Sequence, residues 1–329
     1  MLLFSLQPGL ILFLVMAVIP LFTTGYYGLF NYDGIGQKVF IGLKNYKELF
    51  TTDPYFKRAV LNSFILAAGS LFIQIPIALF LAIVLANRVK GEGFYRTVFF
   101  LPVVISSMVI GQLWCKIFNS EGLLNAILGA LGMANDTAWL VNPKTAYMTT
   151  VIPAIWQSIG YHMVILYAGV KNISPEYYEA AKLDGATGFK AATKITIPLL
   201  MPTIKVCATF ALVGSLRVFD LVYVMTGGGP NHVSEVPATL MYDNLFVKCR
   251  YGYGSAQAFF IVFECLLFSF LLNLIFQEVR RKCINDLRGA ADEDQCNENK
   301  KDINISVSGS IYLYPDISFL LAGYIFLQK

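Results

Sequence analysis

The sequence predicts an all-α fold: a polytopic helical membrane protein with about six transmembrane helices. Three observations carry this. First, 56% of the 329 residues are hydrophobic, only 14% are charged, and the mean hydropathy is +0.60. A soluble domain carries about 25% charged residues, so this chain lacks the polar surface that water demands. Second, apolar runs recur at the length needed to cross lipid, roughly 20 residues for about 30 Å of hydrocarbon. Third, the segments between these runs are polar or bear glycine and proline, which are loop signals. The net charge of only +4 gives no basic face for nucleic acid. Two His and six scattered Cys form no metal-ligand spacing and no disulfide framework. A Cys in an apolar run is usually a small buried hydrophobe. Neither a cofactor nor a metal is expected.

The elements follow in order. The first run, 8–29, has no basic leading region. It exceeds the usual signal-peptide apolar stretch and runs into Tyr26-Tyr27-Gly28-Leu29 without a small-residue cleavage site, so it is expected to stay as a span. A long loop, 30–62, carries Lys38, Lys44, Lys47, Lys57 and Arg58 before the second run at 63–86. A short basic loop with Arg88, Lys90 and Arg96 leads to the third run, 97–118, and the fourth lies at 145–170. The segment 171–202 is amphipathic and too polar to span. The fifth run, 203–223, leads to Thr226-Gly227-Gly228-Gly229-Pro230, whose glycines suit a turn where Pro230 stops the helix. That segment lacks the Lys of a phosphate loop, and no G-x4-G-K-[ST] occurs, so the chain has no ATP chemistry of its own. The sixth run, 258–279, is closed by Arg280-Arg281-Lys282. Residues 1–282 thus read as one transmembrane domain. The tail, 283–329, is polar and charged to about residue 310, which predicts a disordered or loosely held segment on the cytoplasmic side. It ends in a short apolar segment, 311–327, that Pro315-Asp316 interrupts. Lys and Arg are biased toward the cytoplasm in membrane proteins, but here they fall on both sides of the spans, and charge alone leaves the orientation open.

The fourth loop is the most informative segment. Ser174 suits an N-cap and Pro175 the first helical position. Glu176 and Glu179 stand near the positive end of the helix dipole, and Gly185 suits a left-handed helix end. A second short helical stretch is expected from Phe189 to Ile195, ending at Pro198. Such a helix pair either packs under the bundle or presents a docking surface of small residues and one acid.

Glu179-Ala180-Ala181, three residues, Gly185, nine residues, then Ile195-x-Ile197-Pro198 resembles the EAA loop of binding-protein-dependent ABC transporter permeases, with Ile197 where Leu is usual. Phe40-Ile41-Gly42-Leu43-Lys44-Asn45-Tyr46, the Phe219 to Pro230 stretch and Tyr251-Gly252-Tyr253-Gly254-Ser255-Ala256 resemble the sugar-transporting branch of that family. The resemblance implies the type I importer permease fold in a bacterial inner membrane. It also implies a second permease subunit, two cytoplasmic ATP-binding subunits, an extracytoplasmic solute-binding protein and a sugar solute. Glu179, Ala180, Ala181, Gly185, Ile195 and Pro198 would then form the contact with the ATPase, on the cytoplasmic side.

Ionisable groups within a bilayer cost about 2.5–3.5 kcal/mol or more unless paired or hydrated, so they mark pathways or helix contacts. Arg217 and Asp220 stand three apart in the fifth run, so they share a helical face and could pair. Gln157, Tyr161 and Glu264 join them as candidates for a solute path, since sugars are held by planar polar groups and aromatic faces. The competing role for each is to glue helices together. The alternative function is a stand-alone secondary transporter or channel, which predicts inverted repeats with broken helices. An intramembrane enzyme would need paired catalytic groups, whereas His162 stands alone in the fourth run and His232 lies in a loop.

Overall fold

The structure is a computed structural model that describes residues 2–87, 89–133, 136–183 and 185–298, with side chains for 7–278 of these. One compact unit is Gly25–Ser269, and the chain segments flanking it form another. The all-α expectation holds. The described residues include five helices long and apolar enough to cross a membrane, or six when one bent pair counts as a single span. The strands are two-residue pieces, β1 (Phe30–Asn31) and β2 (Val39–Phe40), paired antiparallel in the first loop.

Helix α1 (Gln7–Tyr27) is the first span. Helix α2 (Pro54–Ala86) begins well before the apolar run, because Asp53 supplies a cap. Its Oδ1 accepts the amides of Tyr55 (2.9 Å) and Phe56 (3.1 Å), and Pro54 needs no donor of its own.

The third run is not one straight span. Helix α3 (Glu92–Val104) and helix α4 (Ser107–Ile117) meet at 95°. Ile105 and Ser106 both turn extended there, with ψ of 136°. The polar pair Ser106-Ser107 marks the break, as serine pairs commonly do at kinks. Helix α5 (Ala146–Lys171) runs through the middle of this unit, packing on the second half of α2, on α3 and on the fifth span.

The fourth loop holds helix α6 (Pro175–Leu183). The second stretch does not end at Pro198 as its proline suggests. Helical backbone runs from Phe189–Ala191 through a π-turn, Ala192–Thr196, into α7 (Ile197–Leu216). The same device stands at Leu14–Val18 before Ile19-Pro20 and at Ser70–Gln74 before Ile75-Pro76. In each case the Ile amide bonds five residues back, to Leu14, Ser70 or Ala192. Proline has no amide to donate and its ring collides with the carbonyl four residues earlier. A wide turn just before it relieves both problems.

The fifth span breaks after Leu216, and α8 (Asp220–Thr226) resumes it. Helix α9 (Tyr251–Glu298) contains the sixth span and continues to Glu298. The first part of the tail is therefore helical where its composition predicts disorder, as an uninterrupted extension of α9. The apolar segment 311–327 lies outside the described residues. Buried clusters among the described residues of the larger unit include one around Leu66, Tyr147, Val151, Ile155, Val222 and Val236, one around Ile110, Phe118, Leu221 and Met225, and one around Leu49, Phe56, Leu240 and Tyr253.

Candidate functional site: the fourth loop and the polar contacts beside it

Helix α6 is nine residues long, below the roughly 12–15 at which an isolated helix becomes even marginally stable. Its order comes from its ends and one face. Gly185 adopts φ +73°. Its amide bonds the Lys182 carbonyl (3.1 Å), and the Ala186 amide bonds the Ala181 carbonyl (2.8 Å). This is the paired closure that a left-handed glycine allows. On the inner face Ala181 is buried, and Tyr178 Oη lies 3.1 Å from Thr196 Oγ1 in the π-turn.

The outer face carries Glu179 and Ala180, with Gly185 exposed at its end. Around them stand Tyr177 (56% exposed), Leu183 (90%) and Phe189 (83%). Three large apolar side chains, each more than half exposed, form a surface made to be covered. The sequence pattern treats Ala180 and Ala181 alike, but Ala181 packs inward because it lies on the face that Tyr178 ties down. Ile195 and Pro198 are half-buried in the π-turn and the start of α7.

Beside the launch point of this loop sits a cluster that the sequence reading missed. Lys171 Nζ lies 3.2 Å from Glu92 Oε2 and 3.2 Å from the Ala86 carbonyl. The Tyr167 hydroxyl donates to Glu92 Oε1, and the Arg96 guanidinium lies 5.5 Å over the Tyr167 ring. Two signals were available: Tyr167 and Lys171 share a helix face at i, i+4, and Glu92 is the one acid in a loop read as basic.

Within the spans, the π-turn Ser70–Gln74 aims two polar groups inward. Ser70 Oγ meets Ser215 Oγ at 2.7 Å, and Gln74 Nε2 meets His162 Nδ1 at 2.8 Å. His162 Nε2 and Glu264 Oε2 are buried and have no hydrogen-bond partner among the described residues. Glu264 is 3% exposed, and its other oxygen is 3.5 Å from Ser63 Oγ. Gln157 donates to the Ile105 carbonyl (3.2 Å), which the bend between α3 and α4 has freed. Tyr161 is 39% exposed, its ring 5.1 Å from His162 and 6.3 Å from Phe210. Arg217 and Asp220 stand on either side of a break in the fifth span and not on one continuous helix. Arg217 caps the end of α7, and Asp220 opens α8 across the break, where its charge suits the new helix start. Of the candidates for the path, Gln157 thus meets the Ile105 carbonyl and Glu264 meets Ser63.

At the other end of α8, Gly227 (φ +57°) closes the helix as its position suggests. The loop behind it is tightly wound: Gly228, Asn231 and His232 all have positive φ. Ser234 Oγ donates to the Gly229 carbonyl (2.5 Å), and His232 Nδ1 lies 2.9 Å from the buried Glu235. The Tyr55 ring is tilted against His232 with centroids 4.0 Å apart, and Tyr55, Gly228, Asn231, His232 and Glu235 are among the residues lining a pocket of about 500 Å³. In the first loop the amides of Gly36 and Ile35 donate to Asp33 and hold its carboxyl below the usual carboxylate range. Burial pushes the Tyr46 hydroxyl up.

The family described as "Binding-protein-dependent transport system inner membrane component" matches residues 74–281. A probable ABC transporter permease protein of Bacillus subtilis (strain 168), YurN, is 40% identical over 83% of this chain and 94% of its own length. The trehalose/maltose transport system permease protein MalF of Thermococcus litoralis is 33% identical over 76% of this chain and 84% of its own. The multiple sugar-binding transport system permease protein MsmF of Streptococcus mutans is 30% identical over 76% and 86%. Among solved structures, a bacterial ABC transporter involved in the import of the acidic polysaccharide alginate superposes with a TM-score of 0.72. It is 25% identical and covers 84% of this chain and 96% of that one. The same transporter in complex with its pentasaccharide-bound periplasmic protein gives a TM-score of 0.73. These likenesses support an importer permease over a stand-alone secondary transporter or channel, and a transport role over a catalytic one. The chain belongs to the inner-membrane components of binding-protein-dependent transport systems, and is a multi-pass permease subunit of an ABC importer.

Proposed function

We propose that this permease carries a sugar or sugar-like solute, forming half of a pathway completed by a second permease subunit. Two cytoplasmic ATP-binding subunits drive it through α6, and an extracytoplasmic solute-binding protein delivers the solute. The sugar assignment is supported by the relatives from Thermococcus and Streptococcus and by the alginate importer, whose names state sugar or polysaccharide transport. The ATPase assignment rests on one observation. A short helix, rigidly capped at Gly185 and anchored through Ala181 and Tyr178, exposes Tyr177, Glu179, Ala180 and Leu183, and Phe189 is exposed just after it. Small residues let another backbone approach closely, and a capped helix transmits a push that a loose loop would absorb. The contact is thus made by Glu179 and Ala180, with Gly185, Ala181, Ile195 and Pro198 holding them in place.

On this reading the fourth loop is cytoplasmic. Arg217, Asp220 and Tyr161 are the residues proposed to face the solute. Gln157 holds the bend and Glu264 sits at a buried helix contact, so both act as pathway supports. The test is reconstitution of the whole transporter in proteoliposomes with its binding protein inside or outside. ATP hydrolysis should rise when the loaded binding protein and a cognate sugar are added, with sugar accumulating at ATP's expense. Uptake that ignores ATP but follows an ion gradient would refute the reading. Stimulation by a non-carbohydrate solute alone would refute the sugar assignment.

A further inference from the structure

We propose that Glu92 is a positioning residue that fastens α3 to the end of α5, so that the two helices move as one stapled arm carrying the coupling helix α6. The inference rests on the reading that α6 receives the ATPase. The antiparallel pair is joined at three heights. At the fourth-loop end, both carboxylate oxygens of Glu92 are engaged by α5, one by the Tyr167 hydroxyl and the other by Lys171 Nζ at 3.2 Å. In the middle, Gly160 lets the backbones touch, since a Cβ there would overlap the Phe99 carbonyl and lie 2.9 Å from Phe100 Cα. At the far end, Gln157 holds the Ile105 carbonyl at 3.2 Å. Directly beyond that last staple the chain bends by 95° into α4.

The placement has a mechanical consequence. Lys171 is the last residue of α5, and α6 begins at Pro175. A displacement of α6 therefore reaches α5 at the residue that grips Glu92. The same lysine bonds the Ala86 carbonyl at the end of α2, so the latch also fixes the short turn between α2 and α3. The flexible point left to the arm is the extended pair Ile105-Ser106, where α3 meets α4. Without the Glu92 latch, α5 can shift while α3 stays behind, and ATP is spent with less solute moved. The ion pair is partly exposed, its side chains 39% and 27% accessible, so it adds little to stability by itself. A role in positioning explains its elaboration better than a role in folding.

The experiment uses the whole transporter in proteoliposomes and measures solute moved per ATP hydrolysed. Glu92→Gln, Tyr167→Phe and Lys171→Met should each keep ATP hydrolysis while lowering this ratio about tenfold, within the span of allosteric coupling. The Glu92→Gln/Lys171→Met double variant should lose no more than either single variant, because the two groups form one latch. Lys171→Arg should retain most of the ratio. An unchanged ratio in Glu92→Gln, or losses that multiply in the double variant, would overturn the proposal. Should Glu92→Gln fail to assemble, Tyr167→Phe decides alone, since it removes a single oxygen. A photo-crosslink from position 183 to the ATPase, taken in the same samples, separates the two ideas. Its absence in the parent sinks the docking of α6, whereas its presence with an unchanged ratio sinks only the latch.

Discussion

Gly185 separates conformation from contact in the fourth loop. Nothing lies within 4 Å of the position a Cβ would take there, so a side chain meets no obstacle inside the subunit. Its cost is set by the backbone, at φ +73°, where an L residue loses roughly 1–2 kcal/mol. That closure holds two hydrogen bonds, of 3.1 and 2.8 Å, at the end of a nine-residue helix with little stability of its own. Since about 1.4 kcal/mol is tenfold in an equilibrium constant, Gly185→Ala should raise the open population of the loop about tenfold. Asn tolerates the left-handed region better than Ala, so Gly185→Asn should be milder despite its size. Hydrogen exchange of the Gly185 and Ala186 region, with uptake measured in the same membranes, checks the order Gly, then Asn, then Ala. Both variants should reach the membrane in parental amounts. If Asn impairs uptake more than Ala while exchange is unchanged, the glycine serves close contact with a partner and the conformational argument fails.

Four further outcomes follow from the geometry. Gly160→Ala forces α3 and α5 apart against the Phe99 carbonyl and should destabilise by about 1–3 kcal/mol, the usual cost of overpacking, read as a lowered melting temperature in detergent. Asp53→Ala removes the cap of α2 and leaves the Tyr253 hydroxyl without its 2.6 Å acceptor; a loss of about 1–2 kcal/mol is expected, and Asp53→Asn should recover part of it. Gln157→Leu strands the Ile105 carbonyl at the bend and should cost about 1–3 kcal/mol, with Gln157→Glu no substitute because it cannot donate when ionised. In the first loop, the depressed Asp33 carboxyl orders its turn at neutral pH and gives up that contribution as pH falls through its lowered value. Exchange of the Ile35 and Gly36 amides should accelerate on acidification in the parent and be fast at all pH in Asp33→Ala.

Most of the fold was legible because lipid imposes a plain rule: a run of about twenty apolar residues must be helical to satisfy its own backbone. The ends of the spans were less legible. Asp53-Pro54 starts α2 in a stretch that carries Lys57 and Arg58, where hydropathy says loop and capping says helix. The continuation of the fifth span backward through Pro198 was hidden because proline reads as a stop, whereas the π-turn before it accommodates the ring. The bend at Ile105-Ser106 leaves no apolarity signal at all, since both legs and the joint are spannable by composition. The docking surface of α6 was readable from spacing, but its inner and outer faces were not, so Ala181 was grouped with Ala180. Glu92 stood out as the one acid of its loop, but its pairing was not legible because its two partners lie some 75 to 79 positions away in sequence.

The central claim is that the exposed face of α6 is where ATP-driven motion enters the permease. A photoreactive residue placed at position 183, the most open large side chain of α6, tests it in native membranes with all subunits present. Phe50, exposed on the first loop, provides the control position. The account predicts capture of the ATP-binding subunit from position 183 and none from position 50. Capture from position 50, or from neither, would place the ATPase contact elsewhere and contradict it.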